Sequence, residues 1–203
     1  LKNIVLLCEC EYTHLGLVTL LQSRARIFSM SDFECCRTHL SRTLDGEIDL
    51  VVLSVCNYSI SALACIARLI RHYHPSCSVL MDPGSTSIPL LRFYFNCLNA
   101  RMGLVDFAQP LLALQGFIEQ VMSGERGVSV GGIISSEPLS QRERNILQGI
   151  MREYKACDIA RKLSLNIKTV SHYKRTGLRK LGARNIQDLL LPSTKHQWRG
   201  VVA

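Results

Sequence analysis

The sequence predicts two units: a doubly wound α/β sandwich on a five-stranded parallel sheet, then a small all-α helix-turn-helix domain. Three observations predict this. Five short apolar runs alternate with amphipathic helical patterns through the first two-thirds of the 203 residues. A glycine-bearing stretch, SGERGVSVGG, residues 123–132, then interrupts the periodicity. The charge also divides: residues 1–126 carry 10 Lys/Arg against 11 Asp/Glu, and residues 127–203 carry 14 against 5. The division expected is an α/β domain over 1–122, a linker over 123–137, a helical domain over 138–192 and a tail over 193–203.

In the α/β part, Ile4–Leu7 is the first strand, followed by a helix through Leu17, Leu20 and Leu21. A weak strand around Arg26–Phe28 precedes Ser31-Asp32-Phe33-Glu34, which has the spacing of a capping box opened by Ser31. Leu50–Val55 is a continuous apolar run of the kind buried on both faces of a parallel sheet. Ile60, Leu63, Ala64, Ala67 and Ile70 recur at helical spacing. Strands at Ser78–Met81 and Gly103–Val105 and helices at Pro89–Leu98 and Pro110–Met122 complete the alternation. The helix at 89–98, PLLRFYFNCL, is apolar nearly all round, which predicts either a protein contact or deeper burial within its domain.

In the helical part, Ser140 and Glu143 have capping-box spacing ahead of a helix with Ile146, Leu147 and Ile150 on one face. A second helix around Cys157–Leu163 turns Ile159, Ala160 and Leu163 inward. Asn166 is a good N-cap for a third, which reaches Leu181. Val170, Tyr173, Gly177 and Leu181 form its inward stripe; Lys168, Ser171, His172, Arg175 and Arg179 form the opposite face. Such a helix suits a major groove, where base edges are read. The basic C-terminal third is the footprint of a polyanion-binding module.

Residues 139–191, with LSQRERNIL followed by DIARKLSLNIKTVSHYKRTGLRKLGARN, resemble the DNA-binding domain of the LuxR/FixJ (NarL-type) transcription regulators. Departures are Glu153 where the family has Gly after the first helix, Tyr173 for a His, and Gly177 for an apolar residue. The resemblance implies base contacts from Ser171, His172 and Arg175, and phosphate contacts from Lys168, Thr169, Lys174 and Lys180, with Arg179 on the same face. The last short helix, Ile186–Leu191, ends at Pro192; in the family it joins DNA-bound subunits.

Joined to that domain, the α/β layout resembles a response-regulator (CheY-like) receiver. In that family an acidic pair after the first strand holds Mg²⁺ and an Asp ending the third strand accepts phosphate. A Thr or Ser after the fourth strand and a Lys after the fifth contact the phosphoryl group. Here those positions hold Cys8 and Glu9, Ser54, Met81 or Asp82, and Asp106. One carboxylate is a poor Mg²⁺ site, Ser54 cannot form an acyl phosphate, and Asp106 would repel the phosphoryl group. The resemblance therefore implies a pseudo-receiver acting by dimerisation or partner binding. The combination is similar to the auxiliary regulators of enteric bacteria, the RcsA/BglJ type, which pair with a phosphorylatable relative.

Other classes find less support. No apolar run reaches membrane-span length, and LKNIVLLCECEYTHLGL is too mixed for a secretory signal, so a cytoplasmic protein is expected. Nine cysteines without a C-x-x-C pair argue against zinc and a disulfide framework. Cys56, Cys65 and Cys97 lie in apolar runs, whereas Cys8 and Cys10 are the candidates for a redox role. His14, His39, His72 and His74 form no catalytic constellation and are expected at helix ends or on the surface. The one Trp, Trp198, argues against a Trp-rich autoinducer-binding domain. No enzyme, metal or cofactor is expected. The partners expected are double-stranded DNA and a second subunit, in a homodimer or a heterodimer with a related response regulator. The competing reading is an anti-regulator that sequesters such a partner without reading DNA.

Overall fold

Burial on both faces makes strands of four apolar runs, and the half-exposed segment ARIFSM adds an edge strand. β1 (Lys2–Leu7), β2 (Ala25–Met30), β3 (Leu50–Ser54), β4 (Ser78–Asp82) and β5 (Met102–Leu104) form one sheet in the order β2-β1-β3-β4-β5, every pair parallel. The computed structural model describes residues 1–41, 46–55, 58–95, 102–123 and 137–191. The helices are α1 (Glu11–Leu21), α2 (Phe33–Leu40), α3 (Ile60–Tyr73), α4 (Ile88–Phe95), α5 (Leu111–Ser123), α6 (Gln141–Met151), α7 (Ala156–Lys162), α8 (Ile167–Leu181) and α9 (Gln187–Leu190). None is long and apolar enough to cross a membrane. The linker stretch 124–136, Cys56, Cys97 and the tail from Pro192 lie outside the described residues.

The chain divides into two compact units. Of the described residues, one unit holds those of 1–86 and 102–123; the other holds those of 137–191 together with 87–95, and therefore α4. In the first unit the two-residue period of the strands sets the core. Ile4, Leu6, Leu50, Val52 and Leu80 meet Leu17 and Leu21 of α1 and Leu114, Phe117, Ile118 and Val121 of α5. The alternate residues Val5, Leu7, Val51 and Leu53 are equally buried. This two-sided burial explains why the runs read as continuous rather than alternating.

One sequence expectation in this unit needs correcting. The N-cap of α2 is Asp32, not Ser31: Asp32 Oδ1 accepts from the Cys35 N–H at 2.8 Å, and the Ser31 hydroxyl donates to Asp32 Oδ2 at 3.0 Å. A carboxylate one residue closer outcompetes the hydroxyl for the free amide. His74, expected at a helix end or on the surface, does end α3 but is 1% exposed. Its Nδ1 faces the Ile48 N–H at 3.4 Å and its Nε2 lies 3.1 Å from the Leu40 carbonyl, so the ring joins α2, α3 and the entry to β3. Burial holds its pKa below the ordinary histidine value.

In the second unit the capping box of α6 is complete: Ser140 Oγ accepts from the Glu143 N–H at 3.2 Å, and Glu143 Oε2 accepts from the Ser140 N–H at 2.7 Å. Ile146, Ile159, Ala160 and Val170 join α6, α7 and α8 in one cluster. Leu139, Leu147, Leu178, Leu181, Ala183 and Leu189 form a second, together with Phe93 of α4. Leu90, Leu91, Phe93 and Phe95 of α4 are all buried within the chain, so the expectation of an open protein contact there is replaced by burial.

Glu153, standing where the resemblance expects Gly, has φ 62°, the left-handed conformation that favours glycine. Gly177 answers a packing demand rather than a conformational one. A Cβ on it would lie 3.0 Å from Leu147 Cδ1 and 3.4 Å from Glu143 Cβ, so the missing side chain lets α8 approach α6 closely.

Candidate nucleic-acid interface

Helix α8 begins at an Asn166 cap whose Oδ1 accepts from the Thr169 N–H at 2.7 Å and the Thr169 hydroxyl at 2.9 Å. It ends at Gly182, φ 77°, the left-handed residue that stops a helix. Val170, Gly177, Leu178 and Leu181 are its buried residues. The inward stripe predicted from the sequence thus gains Leu178 and moves Tyr173 to a half-buried position, where the Tyr173 hydroxyl accepts from Arg142 Nη1 at 3.3 Å.

The opposite face carries the cations. Lys168, His172, Arg175 and Arg179 are exposed, and Ser171 and Lys174 are half-buried. None of Lys168, Lys174, Arg175 and Arg179 forms an ion pair with a described residue. The arrangement presents uncompensated positive charge along one side of a helix whose other side is locked into a core. Such a surface can attract a polyanion and offer side-chain donors to it.

Lys180 does not belong to that face. Its Nζ lies 3.1 Å from Glu143 Oε2, 3.4 Å from Glu137 Oε1 and 3.3 Å from the Pro138 carbonyl, with its side chain 14% exposed. This corrects its expected role as a phosphate contact: three oxygens of the chain already hold the ammonium. Glu143 is in turn 4% exposed. Burial would raise its pKa, but the Ser140 N–H and the Lys180 ammonium outweigh that and hold it below the ordinary glutamate value. The sequence concealed this pair because its members are 37 residues apart.

At the carboxyl ends of the strands lie the residues that the sequence resemblance assigned to receiver positions. Cys8 and Glu9 follow β1, Ser54 ends β3 beside its register partner Asp82 at the end of β4, and Asp106 follows β5. Asp82 is 8% exposed and Asp106 is 1% exposed. Asp82 Oδ1 accepts from the Gly84 N–H at 2.9 Å and its Oδ2 from the Phe107 N–H at 3.1 Å, tying the two loops after β4 and β5 together. Asp106 Oδ1 accepts from the Ala108 N–H at 3.0 Å. Of the two residues weighed for the hydroxyl position, Asp82 is the one whose polar group enters this network; Met81 is fully buried in the sheet.

Burial and, after it, the nearby Glu9 carboxylate push the Tyr58 phenol above its ordinary pKa. Cys8 is buried, whereas Cys10 is exposed and its thiol is held below the ordinary value, chiefly by hydrogen bonding with Thr13. Among the described residues no cluster of three His, Cys, Asp or Glu side chains has the arrangement to hold a metal ion.

Residues 137–191 match the model of the family described as bacterial regulatory proteins, luxR family, so the helical unit carries a LuxR-type helix-turn-helix domain. No curated protein sequence matches the chain. Solved structures of similar fold include RcsB from Salmonella enterica serovar Typhimurium bound to promoter P1flhDC with phosphomimetic BeF3⁻. Identity there is 18%, the TM-score 0.53, and coverage 93% of this chain and 96% of that one. A structure of two RcsB dimers bound to two parallel DNAs matches at 17% identity and TM-score 0.53, covering 100% of this chain and 99% of the other. The Salmonella typhimurium RcsB response regulator matches at 19% identity and TM-score 0.50, covering 94% and 98%. The shared architecture is a five-stranded parallel α/β sheet followed by the helical domain.

Proposed function

We propose that this protein is a sequence-specific DNA-binding transcription regulator whose sheet unit acts by dimerisation or partner binding rather than by taking up phosphate. The carrying observation is the exposed cationic face of α8, held on a helix whose other face is buried. A helix so held can lie in a major groove with its side chains against base edges. Similar folds have been solved bound to DNA, which supports the same use here.

Arg175 is assigned a bidentate contact to guanine, with Ser171 and His172 beside it as base readers. Lys168, Lys174 and Arg179 are assigned to phosphates, which position the helix without reading sequence, and Thr169 joins them by turning its hydroxyl from Asn166 Oδ1. The pseudo-receiver reading rests on the carboxylates: Asp82 is committed to backbone amides, and Asp106 is buried where a phosphoryl group would need a cation. Ser54 would have to act without the carboxylate that makes an acyl phosphate. Incubation with acetyl phosphate should leave the chain unmodified by mass spectrometry. A phosphoryl adduct in the sheet unit would end this part of the proposal.

Footprinting on promoter DNA, with and without a related response regulator, tests the main reading. Arg175→Ala should lose about 1–3 kcal/mol of discrimination between sites, whereas Lys168→Ala should weaken all sites alike and lower the salt slope by about one. No footprint in either condition, with a stable complex between the two proteins, would favour sequestration of the partner instead.

A further inference from the structure

The second unit contains a helix that its DNA-binding family model does not cover. The family match covers 137–191, yet α4, Ile88–Phe95, belongs to the same compact unit. Its attachment is specific in three places. The Ser87 hydroxyl, which receives the Leu90 N–H at 3.4 Å and so caps α4, donates to the Asp188 carbonyl of α9 at 2.6 Å. Arg92 Nη1 donates to the Leu181 carbonyl, in the last turn of α8, at 3.1 Å. Arg144 Nη1 of α6 donates to the Phe93 carbonyl of α4 at 3.2 Å, with its guanidinium 5.8 Å from the centre of the Phe93 ring.

The two arginines act reciprocally. Each places a cation on a C-terminal carbonyl of another helix, where orphan acceptors and the helix dipole favour positive charge. Around them Phe93 fills the cluster formed by Leu139, Leu147, Leu178, Leu181, Ala183 and Leu189. Gly182, left-handed at φ 77°, also leaves room for the guanidinium: a Cβ there would lie 2.6 Å from Arg92 Nη1. Asn166 secures the start of α8, α7 meets it through Val170, and α6 meets it through Gly177. In the last turn, which carries Arg179, the Gly182 and Ala183 amides satisfy the Arg179 and Leu178 carbonyls, and Arg92 satisfies that of Leu181.

We infer that α4 is a built-in strap of the DNA-binding unit, with Arg92 as a positioning residue for the C-terminal turn of the reading helix and Arg144 and Ser87 fixing the register of the strap. The role assigned to that turn rests on the reading of α8 as the DNA-contacting helix. The strap makes the helical unit more than its family segment, because one of its packing partners is encoded about fifty residues upstream.

Amide hydrogen exchange on the full chain, with affinity for mixed-sequence duplex DNA measured in parallel, tests the strap. Arg92→Ala should speed exchange over residues 178–184 by about ten- to a hundredfold, as expected for losing a charged hydrogen bond to a buried carbonyl. The sheet and α7 should keep wild-type protection. Arg92→Lys, which keeps a cation, should recover most of the protection, and DNA affinity should follow the exchange. Unchanged exchange in Arg92→Ala, or Arg92→Lys behaving as Ala, overturns the inference. If Arg92→Ala loses protection throughout the chain, Ser87→Ala becomes the deciding variant. It should loosen residues 186–190 selectively, and an unchanged profile there overturns the strap. A wild-type chain that fails to bind DNA sinks the reading of α8, while the exchange comparison still decides the strap.

Discussion

The carboxyl ends of the strands and the outer face of α8 carry ionisable groups with opposite commitments. At the strand ends, both carboxylate oxygens of Asp82 accept from backbone amides. On α8, the cations Lys168, Arg175 and Arg179 are exposed and pair with no described carboxylate. A charge satisfied by its own backbone serves the fold, because removing its partners would leave it buried and unpaid by solvent. A charge held outward on a rigid element keeps its interaction energy for something that arrives later. Lys180 sharpens the contrast: it shares a helix with the outward cations and is nonetheless held by Glu143, Glu137 and Pro138.

The largest expected effect tests which side of that contrast Lys180 occupies. Glu143→Ala removes half of the capping box and leaves the Lys180 ammonium only Glu137 and the Pro138 carbonyl, so the helical unit should lose about 3 kcal/mol. Thermal melts followed by far-ultraviolet circular dichroism would measure it. A loss under about 1 kcal/mol would return Lys180 to the surface cations. The pair also predicts a pH dependence. The folded-state pKa of Glu143 lies below its unfolded value. Its contribution is therefore complete above the ordinary glutamate pKa of about 4.3 and is lost as pH falls through the folded value. Glu143→Gln should flatten that acid limb.

Asp82→Ala comes next. It leaves the Gly84 and Phe107 amides without their carboxylate and should cost the sheet unit about 2 kcal/mol in urea unfolding. Asp82→Asn should cost less, since one amide oxygen still accepts. Equal stability of all three chains would mean that the Asp82 carboxylate is not a structural group and that its contrast with the α8 cations does not hold.

The smallest effect concerns backbone rather than charge. Glu153→Gly relieves a left-handed residue and should stabilise the helical unit by about 1 kcal/mol, seen as a higher melting temperature with unchanged DNA affinity. A lower melting temperature would show that the Glu153 side chain contributes more than its backbone strain costs.

Much of this architecture was legible because it is written in local periodicity. The strands and helices of the sheet unit appear where apolar runs and 3.6-residue spacing place them, and the Ser140–Glu143 box is complete as its spacing implies. Local competition was harder to read. Ser31 and Asp32 are both good caps, and only the geometry of the first turn of α2 selected Asp32. The outward face of α8 followed from helical angle alone, yet angle could not reveal that Lys180 bends back to a glutamate on α6.

The sequence by itself determined the order of elements, the basic character of the C-terminal third and the two-faced nature of α8. These depend on composition and on spacings of a few residues, which any chain with this pattern must express. Tertiary structure alone decided the destination of Lys180, the burial of His74, the use of Asp82 as a tie between two loops and the membership of α4 in the helical unit. Each joins groups distant in the chain, where hydrogen-bond geometry and exclusion of water set the outcome.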